Sequence, residues 1–153
     1  MAKDINSFLE SALVLTYYCP QCWSEVAANE RICPQCGYPL DEFHRQTFED
    51  KLLAALHHIL PERRIMAAQI LGNLQSVRAL PEFIKIIDGN EEDYFFLRAI
   101  LLAAVKIPHP DRIKILHRAS QHPSRLVSDL AKELLVDLNE GRENPQRWDR
   151  HTG

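Results

Sequence analysis

The sequence predicts a mostly α-helical protein with a small module of β-hairpin knuckles near its N-terminus. From Asp41 onward, apolar residues recur at intervals of three and four, which is the period of an amphipathic helix. Upstream of that point, all four cysteines of the chain fall in one short segment. Only five glycines are present, which disfavours an all-β fold rich in tight turns. The cysteine segment and the helical part therefore need separate interpretations.

The cysteine segment has the spacing Cys-x2-Cys-x10-Cys-x2-Cys, formed by Cys19, Cys22, Cys33 and Cys36. Two Cys-x-x-Cys turns that face each other supply the four soft ligands of a tetrahedral zinc site. Both pairs read Cys-Pro-Gln-Cys, and proline fixes φ so that the turn begins there. No cysteine is left over. The spacing therefore predicts one structural zinc, with no open position for a substrate or water.

The stretch from Tyr18 to Gly37 resembles the short zinc ribbons found at the ends of many prokaryotic proteins. The resemblance covers about residues 17–40, a minor part of the chain. Gly37 follows the second pair and can take φ > 0, which lets backbone N–H groups point at the sulfurs. Trp23 follows the first pair, where that family usually has glycine. Because tryptophan at φ > 0 is costly, we expect the first turn to be distorted or of another type.

Three other interpretations of the cysteines stay open at this point: disulfides, a redox dithiol and a rubredoxin-like iron site. Two disulfides would need an oxidising compartment. The N-terminus shows no secretory signal, since Lys3 and Asp4 precede an apolar run that is too short. We therefore expect reduced cysteines, a cytoplasmic protein and no association with a membrane.

The helical part divides into six segments at prolines and acidic turns. The first is expected over about 43–60 and ends before Pro61. The others are marked by the apolar residues Ile65–Leu74, Leu80–Ile87, Leu97–Ile107, Ile113–Leu116 and Leu126–Leu138.

The pattern repeats with a period of about 33 residues, inside the window of solenoid repeats. At that offset Ala67 matches Ile100, and Phe83 matches Leu116. The core Ala-Ala-x-x-Leu-Gly-x-Leu that begins at Ala67, followed by Ala-Leu-Pro, resembles a HEAT-like repeat. The resemblance covers about Gln46–Asn139 and implies an α-solenoid of HEAT-like helix pairs. Ala67, Ala68 and Gly72 are small residues that let paired helices approach closely.

The sequence thus predicts four regions along the chain. These are an N-terminal segment over 1–16 that is expected to be helical, a zinc ribbon over 17–40, a HEAT-like repeat domain over 41–140 and a flexible C-terminal tail over 141–153. Trp148 is the one apolar anchor of the tail.

No catalytic constellation is evident in the sequence, so we expect a protein that is not an enzyme. His57 and His58 are expected mid-helix, where neighbouring side chains diverge and cannot easily chelate one metal. The sequence has no Gly-x-Ser-x-Gly elbow and no glycine-rich phosphate loop. The net charge of −3 argues mildly against a general nucleic-acid binder.

A partner-binding surface is expected on the repeats. The second helix of each pair lines the concave face of HEAT-like arrays, which the resemblance extends to this chain. Candidate contacts are Lys85, Lys114, His117 and Arg118 as a modest positive stripe, Tyr94 and Phe95 as aromatic anchors, and Trp148 in the tail. The alternative interpretation is that these cations only solvate the helix surfaces, because acidic residues are interspersed among them.

These features favour a non-catalytic adaptor or scaffold that binds another protein and carries a structural zinc. The family resemblance implies the same role. One alternative is a zinc-ribbon protein associated with nucleic acid or ribonucleoprotein. The ribbon segment, however, carries two acidic residues, Glu25 and Glu30, and a single basic residue, Arg31. Another is an accessory subunit of a cofactor-attaching enzyme, since such repeats resemble those of bilin lyase subunits.

Overall fold

The computed structural model describes residues 16–142, which divide into two compact units with a boundary between Gln46 and Thr47. The segment predicted to be helical over 1–16 lies outside the described residues, apart from Thr16. Of the tail predicted over 141–153, only Gly141 and Arg142 are described, and Trp148 is not.

Over residues 16–46, the first unit is a small β-ribbon followed by one short helix. Strand β1 (Tyr17–Tyr18) pairs antiparallel with β2 (Glu25–Val26), in a register that sets Tyr17 opposite Val26. Helix α1 covers Leu40–Arg45. Among its described residues, four buried side chains form a very small core, against which Tyr38 packs; they are Cys19, Val26, Cys33 and Leu40. So small a core stabilises little by itself, and two of its four members are metal-ligand candidates.

The second unit is entirely helical within its described part, 47–142. Its helices are α2 (Phe48–Ala55), α3 (Pro61–Asn73), α4 (Ala79–Asp88), α5 (Tyr94–Lys106), α6 (Asp111–Ala119) and α7 (Arg125–Asn139). Proline opens α3 at its first position, where its missing N–H costs nothing. Asp93 caps α5 by accepting hydrogen bonds from the backbone N–H groups of Phe95 and Phe96. None of the described helices is long and apolar enough to cross a membrane.

The single helix predicted over about 43–60 is wrong, because the chain contains a break at Gln46 and Thr47. The Thr47 hydroxyl accepts the backbone N–H of Asp50, and the Asp50 carboxylate accepts the backbone N–H of Thr47. This capping box starts a new helix at Phe48. The periodic apolar residues continued across the break, so the pattern did not reveal it. The two helices belong to different units.

Helices α3 and α5 lie side by side and run in the same direction. Near their first turns, Arg64 forms an ion pair with Glu91. At their last residues, Lys106 Nζ donates to Asn73 Oδ1 over 3.0 Å. The two helices begin 33 residues apart, at Pro61 and Tyr94, and they end 33 residues apart. The offset of the sequence pattern is therefore also the offset of these two helices in space.

The helices of the second unit alternate between two layers. Helix α5 contacts both α3 and α7, while α4 contacts α6. Short loops join successive helices, so neighbours in sequence run roughly antiparallel and alternate helices run the same way. The buried side chains form one continuous core, and α5 contributes the largest share because nine of its residues are buried.

Candidate metal centre

The four cysteine sulfurs converge on one point in the first unit. All lie within 4.8 Å of one another. Cys19 Sγ is 3.6 Å from Cys36 Sγ, and Cys22 Sγ is 3.7 Å from Cys33 Sγ. A tetrahedral zinc with Zn–S bonds of about 2.3 Å places its sulfurs about 3.8 Å apart. The spacing thus fits a zinc site, while it is too long for a disulfide, and all four cysteines are free.

Two nearly equivalent knuckles position these sulfurs. In the first knuckle, the backbone N–H of Trp23 donates to the Cys19 carbonyl at 2.9 Å. In the second, the N–H of Gly37 donates to the Cys33 carbonyl at the same distance. A bond of a second kind, from the Gln21 N–H to Cys19 Sγ at 3.4 Å, shows a backbone donor that points at a sulfur.

Trp23 takes the left-handed conformation that was expected only for a glycine. Its φ is 64°, close to the 77° of Gly37. The expectation of a distorted first turn or a turn of another type is therefore wrong, since the two knuckles share the same hydrogen bond. This φ is sterically unfavourable for tryptophan. The two backbone hydrogen bonds that join Cys19 to Trp23 and Ser24 hold the backbone in this conformation.

Ser24 is a member of the site that the sequence analysis missed. Its hydroxyl oxygen lies 3.0 Å from Cys22 Sγ and 3.4 Å from Cys33 Sγ, so it touches one sulfur of each knuckle. The available signal was a hydroxyl residue two positions after the second cysteine of a pair. Serine is common in turns, however, and that signal alone has little weight.

The electrostatics of the cluster favour a bound cation. The Ser24 hydroxyl is the largest cause that lowers the pKa of Cys22 and that of Cys33, and the pKa of Cys33 falls to about 6 with the help of the Cys36 and Gln35 backbone N–H groups. The pKa of Cys36 is raised to about 12: the Tyr38 N–H lowers it, but partial desolvation of this exposed residue and the sulfurs of the other cysteines outweigh that bond. Thiols this close cannot all ionise unless a positive charge joins them. Zinc supplies that charge, and its binding releases the protons.

Comparison with known proteins identifies the same segment. A family model described as a zinc-ribbon domain matches residues 18–40, which include all four cysteines. Comparison of the chain with characterised proteins and with solved structures finds no match. Fold, sulfur geometry and family match together define a zinc ribbon that holds one structural zinc through Cys19, Cys22, Cys33 and Cys36.

The predicted positive stripe lies on α4 and α6, and its charges are largely balanced. Lys85, Lys114, His117 and Arg118 are all exposed. Lys85 Nζ lies 2.7 Å from a Glu82 oxygen, and Lys114 Nζ lies 2.6 Å from an Asp111 oxygen. Arg118 forms an ion pair with Asp88 of the neighbouring helix. These four residues thus lie on two helices in contact, but each cation there has a carboxylate beside it.

The aromatic residues that begin α5 have three different environments. Phe96 is buried, with the guanidinium carbon of Arg64 4.0 Å from its ring centroid. Tyr94 is half-buried and packs against the core. Phe95 is 69% exposed. Of the two predicted aromatic anchors, Phe95 therefore offers by far the more accessible side chain.

His57 and His58 do not lie mid-helix, as the sequence analysis expected, because α2 ends at Ala55. They occupy the turn before α3. His58 Nδ1 accepts the backbone N–H of Leu60 at 3.0 Å, and His57 Nε2 lies 3.3 Å from a Glu82 oxygen. Among the described residues, the cysteine cluster is the one group of three or more His, Cys, Asp or Glu side chains arranged to hold a metal.

Proposed function

We propose that this protein is a non-catalytic, cytoplasmic adaptor. In this proposal a zinc-stabilised ribbon is joined to a short array of HEAT-like helix pairs, and the array binds another protein. The 33-residue offset between α3 and α5 and the two alternating layers support the assignment of HEAT-like pairs. Each helix pair of such an array buries its apolar face against its neighbours, which leaves an extended outer surface for partners.

The observation that carries the proposal is an apolar edge on the second unit. Because alternate helices run the same way, α3, α5 and α7 all begin at one edge of their layer. Each start carries at least one exposed large apolar side chain, and we call this set the apolar edge: Ile59 at 75%, Leu60 at 41%, Phe95 at 69% and Leu126 at 63% exposure.

An exposed apolar side chain is ordinary by itself, but several at one edge are not. The aromatic member, Phe95, belongs to a residue class that often anchors protein interfaces. Its neighbour Phe96 is locked in the core, so the backbone that presents Phe95 is firmly held. Such a rigid display lowers the conformational entropy that binding must overcome.

A protein partner fits this surface better than a nucleic acid does. The three cations of the predicted stripe each have an adjacent carboxylate, and the chain carries a formal net charge of −3. A nucleic-acid surface would need unbalanced cations, whose binding would weaken steeply with salt.

The proposal is tested with a photo-crosslinking amino acid placed at Phe95 or Leu126 in the full chain, expressed in its host. The matched control carries the same amino acid at Gln69, an exposed polar position on α3. We expect one reproducible protein adduct from the edge positions and none from Gln69. The Phe95→Ser variant should lose the adduct formed through Leu126. Equal labelling at all three positions, or a purified protein that turns over a substrate, would contradict the adaptor.

A further inference from the structure

We infer that Ser24 is a positioning residue of the zinc site, whose hydroxyl group bridges the two knuckles and strengthens metal binding. Its role goes beyond the adaptor proposal and does not depend on it. Ser24 follows Cys22 by two residues, yet it also reaches Cys33, which belongs to the other knuckle.

The geometry defines what the hydroxyl can do. A hydroxyl has one proton, so it donates to one sulfur at a time. The contact with Cys22 is the shorter, at 3.0 Å, against 3.4 Å for Cys33. A hydrogen bond to a thiolate spreads part of its negative charge and fixes the direction of its lone pairs toward the metal.

The hydroxyl has its shorter contact with Cys22, which is one of the two exposed ligand candidates. Cys19 and Cys33 are buried, whereas Cys22 and Cys36 are exposed. Cys22 is therefore a ligand candidate on the water-accessible side of the cluster. The Ser24 hydroxyl lies beside the Cys22 sulfur and can donate a hydrogen bond to it in place of water.

The two knuckles differ in the side chain that follows the second cysteine of each pair by two residues. The backbone bond from Cys19 to the Ser24 carbonyl has a counterpart in the bond from Cys33 to the Tyr38 carbonyl, both at 2.9 Å. Ser24 and Tyr38 are therefore equivalent positions. Tyr38 packs its ring against the small core of the unit, and the serine contributes a hydroxyl to the sulfurs instead.

Zinc affinity of the full chain tests the inference, measured by competition with a chromophoric chelator. We expect Ser24→Ala to weaken zinc binding by about 10–100-fold, the usual effect of losing a partner that orients a metal ligand. Ser24→Thr keeps the hydroxyl and should restore most of the affinity. The control is Asn29→Ala, an exposed side chain in the turn after β2, which should bind zinc like the parent chain.

Cobalt substitution separates a hydrogen bond from a merely structural role. The sulfur-to-cobalt charge-transfer band should shift in Ser24→Ala and return in Ser24→Thr, because it reports the electron density on the thiolates. Two results would overturn the inference. One is zinc affinity in Ser24→Ala within about twofold of the parent. The other is a loss of affinity that Ser24→Thr does not recover, since the hydroxyl would then not be responsible.

Discussion

Gly72 of α3 lies so close to Ala103 of α5 that a Cβ built on the glycine would meet the Ala103 Cα at 2.7 Å. The obstructing atom belongs to the backbone, so no side chain can rotate away. Both residues are buried, and together they set the distance between the two helices. The small residues of the sequence pattern thus have the role that was predicted for them at Gly72.

Gly72→Ala should destabilise the helical unit. In an open helix this change would stabilise by about 1 kcal/mol, because alanine has the higher helix propensity. Here the added methyl pushes α3 away from α5, and we expect a net loss of about 1–3 kcal/mol, as overpacked cores show. Urea unfolding followed by circular dichroism measures the effect. The control Gln69→Ala, at an exposed site on the same helix, should leave stability nearly unchanged, and a more stable Gly72→Ala protein would disprove the close contact.

Removing the metal should unfold the ribbon and leave the helices intact. The ribbon core is too small to fold alone, and metal binding in comparable peptides provides about 10–16 kcal/mol. A strong chelator or Cys33→Ser should expose Trp23 and Tyr38, which are both half-buried, with little change in helical circular dichroism. Elemental analysis of the reduced protein should find one zinc per chain. Gln35→Ser, an exposed change between two ligands, serves as the control. Loss of the whole helical signal on chelation would contradict the independence of the two units.

Phe95 and Phe96 should respond oppositely to truncation, although they are neighbours. Phe96→Ala removes a buried ring from the core and should cost about 3–5 kcal/mol. Phe95→Ala removes an exposed ring and should change stability by no more than about 0.5 kcal/mol. Parallel unfolding curves measure both effects. A large loss of stability for Phe95→Ala would mean that this residue serves the fold, and it would weaken the proposed apolar edge.

Acid should weaken the start of α2 in a defined range of pH. The Thr47 hydroxyl, which donates to Asp50 Oδ2 at 2.7 Å, and the Arg78 guanidinium lower the pKa of Asp50 from 3.8 to about 2. A lowered pKa in the folded state means that the carboxylate stabilises the fold above pH 3.8. That contribution falls away as the pH drops from 3.8 toward about 2.

The Asp50→Asn variant tests this effect. Its unfolding free energy should depend less on pH between 3.8 and about 2 than that of the parent chain. Thr47→Ala should reduce the slope in the same direction, because it removes the first cause of the shift. Identical slopes in the parent and in Asp50→Asn would show that this carboxylate does not contribute to acid sensitivity.

The metal site could be predicted from the sequence because the four residues that define it lie close together in the chain. Ligand type, number and spacing are all contained within one short segment, and the structure brings the four sulfurs within 4.8 Å of one another. Ser24 could not be found in the same way. Its significance depends on reaching Cys33 across the fold, and no spacing rule marks that approach.

The amino-acid sequence by itself determined the chemistry of the ribbon, the helical character of the rest and the 33-residue offset of α3 and α5, since these depend on residue type and periodicity. The structure showed where the first helix breaks, since the local capping box of Thr47 and Asp50 interrupts an apolar pattern that continues across it. Tertiary structure decided that Trp23 adopts a positive φ and that Phe95, rather than Phe96, faces solvent. Those outcomes depend on which neighbours surround each residue, and periodicity does not specify the neighbours.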